Sequence, residues 1–229
     1  YITFPFDGIV AGMTVGYQGG LPKEVQDLFR NTGVLHVLVL SGYNITLLAG
    51  FLAMLLRAFP FRVRTGLTIL AIVMLVVISG SGVASIRAGI MGSIALFAGL
   101  ATRTYQPLRA LALAYLIFFF VSPQTIFADP GFHLSFLATG FIILVLPQVE
   151  RLFSFLPKTR GIDIKEILIL AMTIPFFMLP YMMYFSGSFP LVSPITNIFL
   201  SILTPLLMIS GIVLIVFSWL GQVAHIIGT

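Results

Sequence analysis

Four ionisable side chains stand in stretches of this sequence that are otherwise apolar: His36, Arg87, Asp129 and His133. In a hydrocarbon environment such a group has to be paired, hydrated or turned to a cavity, so each is a candidate functional residue. His36 belongs to a first cluster with Ser41, Gly42 and Asn44, within Gly33 to Leu48. Spacing places His36 and Asn44 on nearly one helix face, and the glycine interrupts an apolar run. That pattern fits a broken helix lining a polar cavity. It equally fits small and hydroxyl residues packing neighbouring helices closely.

The second cluster is the run Ser79 to Gly89, with Ser81 in its turn and Arg87 in the first turns of the helix that follows. Amides at a helix start attract anions, and a guanidinium adds a forked donor suited to phosphate. The bland alternative is an arginine that snorkels to the membrane surface. The run lacks the Gly-x-x-x-x-Gly-Lys-Ser/Thr pattern of a phosphate loop. The third cluster runs from Asp129 through His133 and Ser135 to Phe136. Asp129 precedes Pro130 and is placed to cap the next helix.

These residues make a poor catalytic set. No second carboxylate stands near Asp129 to complete an acid and base pair. A triad drawn from Ser41, His36 and Asp129 would put its serine on an ordinary helix rather than a strained elbow. The chain has no cysteine and no His-x-x-x-His or His-Glu-x-x-His pair. Neither a metal nor another cofactor is therefore expected, and no catalytic activity.

The elements that must position the clusters follow from composition. Of 229 residues, 59% are hydrophobic and 8% charged, against about 25% charged in soluble domains. A soluble enzyme and a disordered chain are both excluded. Seven apolar stretches are candidate membrane segments: about 33–56, 66–80, 85–100, 108–122, 132–146, 164–185 and 191–220. The last contains Pro194 and Pro205 and reads as one bent helix or two short passes. The expectation is an all-α polytopic transmembrane helical bundle of about seven to eight spans, some of them broken.

Residues 1–32 form a separate peripheral segment, with the membrane domain over 33–229. Leu21 to Arg30 predicts a short amphipathic helix at the membrane surface, or a plain connector, with Val25, Leu28 and Phe29 on one face. Neither a basic leader nor a small-residue cleavage site is visible at the start, and the chain reads as cut from something longer. Up-and-down threading gathers Arg57, Arg62, Arg64, Arg103, Arg109 and the charged run 150–166 on one side. That side sums to +6, the other to −2, and Arg87 supplies the remaining charge of the net +5. Positive loops mark the cytoplasmic side, which places the amino terminus outside.

Together the clusters resemble the competence domain of the ComEC family, polytopic proteins of the bacterial inner membrane that admit single-stranded DNA during natural transformation. Thr32-Gly33-Val34-Leu35-His36 followed by Ser41-Gly42-Tyr43-Asn44-Ile45 matches a first family motif. The turn Ser79 to Ser85 before Arg87-Ala88 matches a second, and Pro107-Leu108-Arg109-Ala110-Leu111-Ala112 a third. Asp129-Pro130-Gly131-Phe132-His133-Leu134-Ser135-Phe136 matches a fourth. Asn44 stands where the family usually has histidine, and His133 where it has glutamine.

The resemblance implies a channel core for single-stranded DNA, embedded in membrane lipid, with a helicase-like cytosolic motor and an outer DNA receptor as partners. An OB-like module and a metallo-β-lactamase-like module, found in longer members, are not in this sequence, which looks like an excised membrane core or a reduced homologue. The site residues it implies are His36, Ser41, Gly42, Asn44, Ser81, Arg87, Asp129, His133 and Ser135. Two rival functions remain: secondary transport of a small anion at Arg87, and an intramembrane hydrolase or transferase using His36 and Ser41.

Overall fold

The computed structural model describes residues 24, 25, 27, 28, 42–152, 164–186, 192, 195–200 and 203–211, and among these no strand occurs. Helix α1 is Gly42–Leu55, followed by a 3-10 turn over Leu56–Ala58. Helix α2 is Phe61–Ile78 and α3 is Val83–Leu100, each of 18 residues. Helix α4 is Pro107–Val121, α5 the short Pro123–Ala128, α6 Pro130–Leu144 and α7 Leu146–Leu152. Helix α8 is Ile164–Ser186. Residues 195–200 and 203–211 are helical as well.

Proline and glycine punctuate this order. Pro107, Pro123 and Pro130 each open a helix, where the missing N–H goes unmissed and the fixed φ suits the first turn. The Ser79–Gly82 turn closes α2 with left-handed backbone at Gly80 (φ 80°) and Ser81 (φ 55°). There the Gly80 N–H donates to Val77 O at 3.1 Å and the Ser81 N–H to Val76 O at 3.0 Å, a Schellman cap. Helix α3 ends in the same way at Thr102 (φ 51°), with the Arg103 N–H donating to Ala98 O at 2.9 Å. The α6–α7 junction bends by 47° just before Pro147, a residue that removes a ladder bond.

Helix α3 is the centre of the described bundle, packing against α1, α2, α4 and α6. Ile45 of α1, Ile72 of α2 and Ala88 of α3 form one buried cluster. Phe118 of α4, Ile126 of α5 and Phe132 of α6 form another. Close approach of α2 and α3 depends on Gly89, where an added Cβ would stand 2.9 Å from Val76 Cγ2.

Large apolar side chains cover the outer surface, and a few polar groups are buried among the apolar ones. Asn44, Thr65, Thr68, Ser85 and Arg87 are buried, while Phe120 and Val121 are 78% and 79% exposed. Water would reverse that arrangement, and hydrocarbon favours it. By length and composition α2 and α3 can each cross a membrane, and α6 with α7 makes a third span if the bent pair is one crossing. Helices α1 and α4 are shorter apolar helices, as is the Ile169–Phe185 part of α8. The predicted third, fourth and sixth stretches coincide closely with α3, α4 and α8; the second, drawn to start at Gly66, begins five residues earlier at Phe61. Of the predicted amphipathic stretch, Glu24, Val25, Asp27 and Leu28 are helical.

Candidate functional site

Arg87 lies one turn into α3, on the face turned to α1 and α6, and is 9% exposed. Its Nε donates to Ser135 Oγ at 2.7 Å, and its Nη1 donates to Thr139 Oγ1. Nη1 also meets Met91 Sδ at 3.8 Å. Thr139 Oγ1 donates in turn to the Ser135 carbonyl at 2.9 Å, so the hydroxyl keeps an acceptor lone pair for the guanidinium. Ser135 and Thr139 are four apart on α6 and therefore share a face.

The other edge of the guanidinium rests on α1. A Cβ built at Gly42 would stand 3.1 Å from Arg87 Nη2 and 3.4 Å from Ala88 Cβ. Glycine at this position lets the cation lie against the start of α1. Asn44 and Ser85 are 1% and 2% exposed on the same two helices. Among the described residues no carboxylate pairs with Arg87. Hydroxyls hold it in place without cancelling its charge, which suits an anionic visitor better than a structural ion pair. The snorkelling alternative does not describe this arginine, because it points into the bundle.

The third cluster divides into separate jobs. Asp129 Oδ1 accepts from the Gly131 N–H at 2.7 Å, the helix cap that its position suggested. His133 lies apart from Arg87 in its bonding, with Nε2 2.6 Å from Ile126 O and Nδ1 2.7 Å from Tyr181 Oη. A carbonyl can only accept, so Nε2 carries a proton, and in the neutral tautomer that this leaves Nδ1 accepts from the tyrosine hydroxyl. His133 thereby fastens α6 to both α5 and α8.

Of the predicted site residues, Gly42, Arg87 and Ser135 come together, with Asn44 buried two residues further along α1. Ser81 sits exposed in the α2–α3 turn, and Asp129 and His133 serve helix ends and helix contacts. His36 and Ser41 lie outside the described residues. Sequence reading missed Thr139 and Tyr181. Thr139 was findable, being a hydroxyl one helical turn beyond Ser135; Tyr181, 48 residues from its partner, carried no local signal.

Among the described residues, a helical bundle with an apolar outer surface, helices able to cross a bilayer and a buried arginine has the build of a membrane-embedded protein. The model of the family described as "Competence protein" matches residues 13–229, and the chain belongs to that family. It is 29% identical over 139 residues to ComE operon protein 3 of Bacillus subtilis (strain 168), across 60% of this chain and 18% of that protein. The matched part is thus less than a fifth of that relative's length. No solved structure matches.

Proposed function

We propose that this chain is the core of a channel that passes single-stranded DNA across the bacterial inner (cytoplasmic) membrane during natural transformation. Membership of the competence protein family supports the process, and buried Arg87 is the observation that carries the site. A strand with one negative charge per nucleotide needs contacts that attract it but release it again. A single cation held by Ser135 and Thr139, without a carboxylate, offers such a contact; a ladder of arginines would hold the strand too tightly. The chain carries no catalytic step in this reading. Movement is driven by a partner motor or the proton gradient, and an outer receptor and the soluble modules of longer relatives act beside it.

Seven to eight passes, including the stretches outside the described residues, complete the path, with His36, Ser41 and Asn44 lining it. The amino terminus lies outside. A reporter fused near Arg103 is then expected to read as cytoplasmic, and an extracytoplasmic signal would overturn the orientation.

The buried cation also favours the second reading, secondary transport of a small anion. Both are separated by one variant set, expressed in place of a transformable host's own family member. Arg87→Gln at equal membrane level is expected to lower transformation by about 100-fold, since a hydrogen bond to a charged group contributes up to about 3 kcal/mol. Arg87→Lys should recover part of it. Unchanged transformation sinks the proposal, and a simultaneous loss of inorganic phosphate uptake into proteoliposomes would favour the transporter.

A further inference from the structure

A second basic feature lies at the far end of α3, away from Arg87's hydroxyl partners. The turn between α3 and α4 and the adjoining helix faces enclose a cleft of about 320 Å³. Arg103 and Arg109 stand at its mouth with Tyr105, and its wall includes Ile94, Ala98 and Leu113. No carboxylate occurs among the residues that line it. Ile94 lies six residues before the end of α3 and Leu113 six residues after the start of α4. At 1.5 Å per residue the cleft descends about 9 Å along both helices.

The lining is therefore of two kinds: the guanidiniums of Arg103 and Arg109 with the Tyr105 phenol, and the aliphatic side chains of Ile94, Ala98 and Leu113. Burial holds the Tyr105 phenol above its ordinary range, with the charge of Arg87 opposing, so it stays a neutral hydroxyl donor at physiological pH. Arg103 leaves α3 in a fixed direction, because its N–H closes the cap on Ala98 O. A phosphate alone would use only the mouth of such a cleft. A nucleic acid strand would use the mouth and leave the aliphatic wall unfilled.

We propose that this cleft is a binding site for an anionic phospholipid, with its phosphate held by Arg103 and Arg109 and its glycerol end and first acyl carbons against Ile94, Ala98 and Leu113. Basic pockets between membrane helices at the interface take lipid head groups in this way. The inference uses the membrane placement of α3 but not DNA passage, and its failure leaves the import reading untouched.

The test uses the full chain, delipidated in neutral detergent and titrated with dioleoyl phosphatidylglycerol, followed by native mass spectrometry. Retained lipid is expected for phosphatidylglycerol and not for dioleoyl phosphatidylcholine. The pair Arg103→Gln with Arg109→Gln, both exposed and remote from the core, should lower apparent affinity by about tenfold or more. Arg57→Gln with Arg62→Gln, exposed arginines on another turn, should leave it unchanged. Equal retention of both lipids, or equal loss in both variant pairs, overturns the site in favour of bulk charge. Competition of the lipid by an oligothymidylate or by inorganic phosphate at comparable concentration also overturns it, since the aliphatic wall would then have no part.

Discussion

A guanidinium inside a bundle has five donors to satisfy, and at Arg87 the supply of acceptors is hydroxyl rather than carboxylate. Ser135 and Thr139 each accept one N–H, and Gly42 yields room for Nη2. The consequence is a cation that is fixed in position yet still charged. His133 illustrates a different economy. As a neutral imidazole it presents one donor to Ile126 O and one acceptor to Tyr181. A glutamine amide presents the same pair, which gives a physical reason why the related motif can carry glutamine there. His133→Gln is therefore expected to unfold at nearly the wild-type temperature in detergent, and His133→Leu to lose about 1–3 kcal/mol by leaving the Ile126 carbonyl and Tyr181 hydroxyl unmatched. Equal stability of the two variants would contradict the bridging role. Both residues were visible in the sequence as polar intruders in apolar helices. That Arg87 would pair with Ser135, and His133 with Tyr181, was not visible, because side-chain pairing across 48 residues is set by packing that no local spacing encodes.

At the scale of the element, glycine and proline decide where helices start, stop and touch. The proline starts of α4, α5 and α6 and the cap by Asp129 were legible because their causes are local: a fixed φ, a missing N–H and a short side-chain acceptor. Helix α5 was hidden inside what read as a loop, since six residues give too little periodicity to register. The approach of α2 to α3 was equally hidden. It rests on Gly89, whose missing side chain admits Val76 Cγ2. Gly89→Val is expected to push α2 away and destabilise the bundle by about 1–3 kcal/mol, while Gly50→Val, with nothing within 4 Å of its added Cβ, should do much less. Thermal unfolding in one detergent compares the two; similar losses would show that helix propensity, rather than the α2–α3 contact, sets the effect.

The whole molecule is organised by the scarcity of charge. Of nineteen formal charges in 229 residues, Arg87 is the one that the structure buries among the described residues. Composition made the membrane environment and the all-helical class legible, because hydropathy is a sum over residues and tolerates local error. The number of crossings is less legible. Helices of 14 and 15 residues such as α1 and α4 fall short of the 20 or so that a straight span uses, so crossing there depends on neighbours and on local membrane thickness. The central claim is that DNA passes Arg87, and cross-linking in the act of uptake tests it most directly. A diazirine analogue of methionine at Met91, whose sulfur lies 3.8 Å from Arg87 Nη1, probes the site while leaving its hydroxyls in place. The same analogue at Met74, 53% exposed on the outer face of α2, serves as the reference. During transformation with labelled DNA, illumination should give a covalent DNA adduct from position 91 and none from position 74. Normal uptake with no adduct from position 91 would contradict the account.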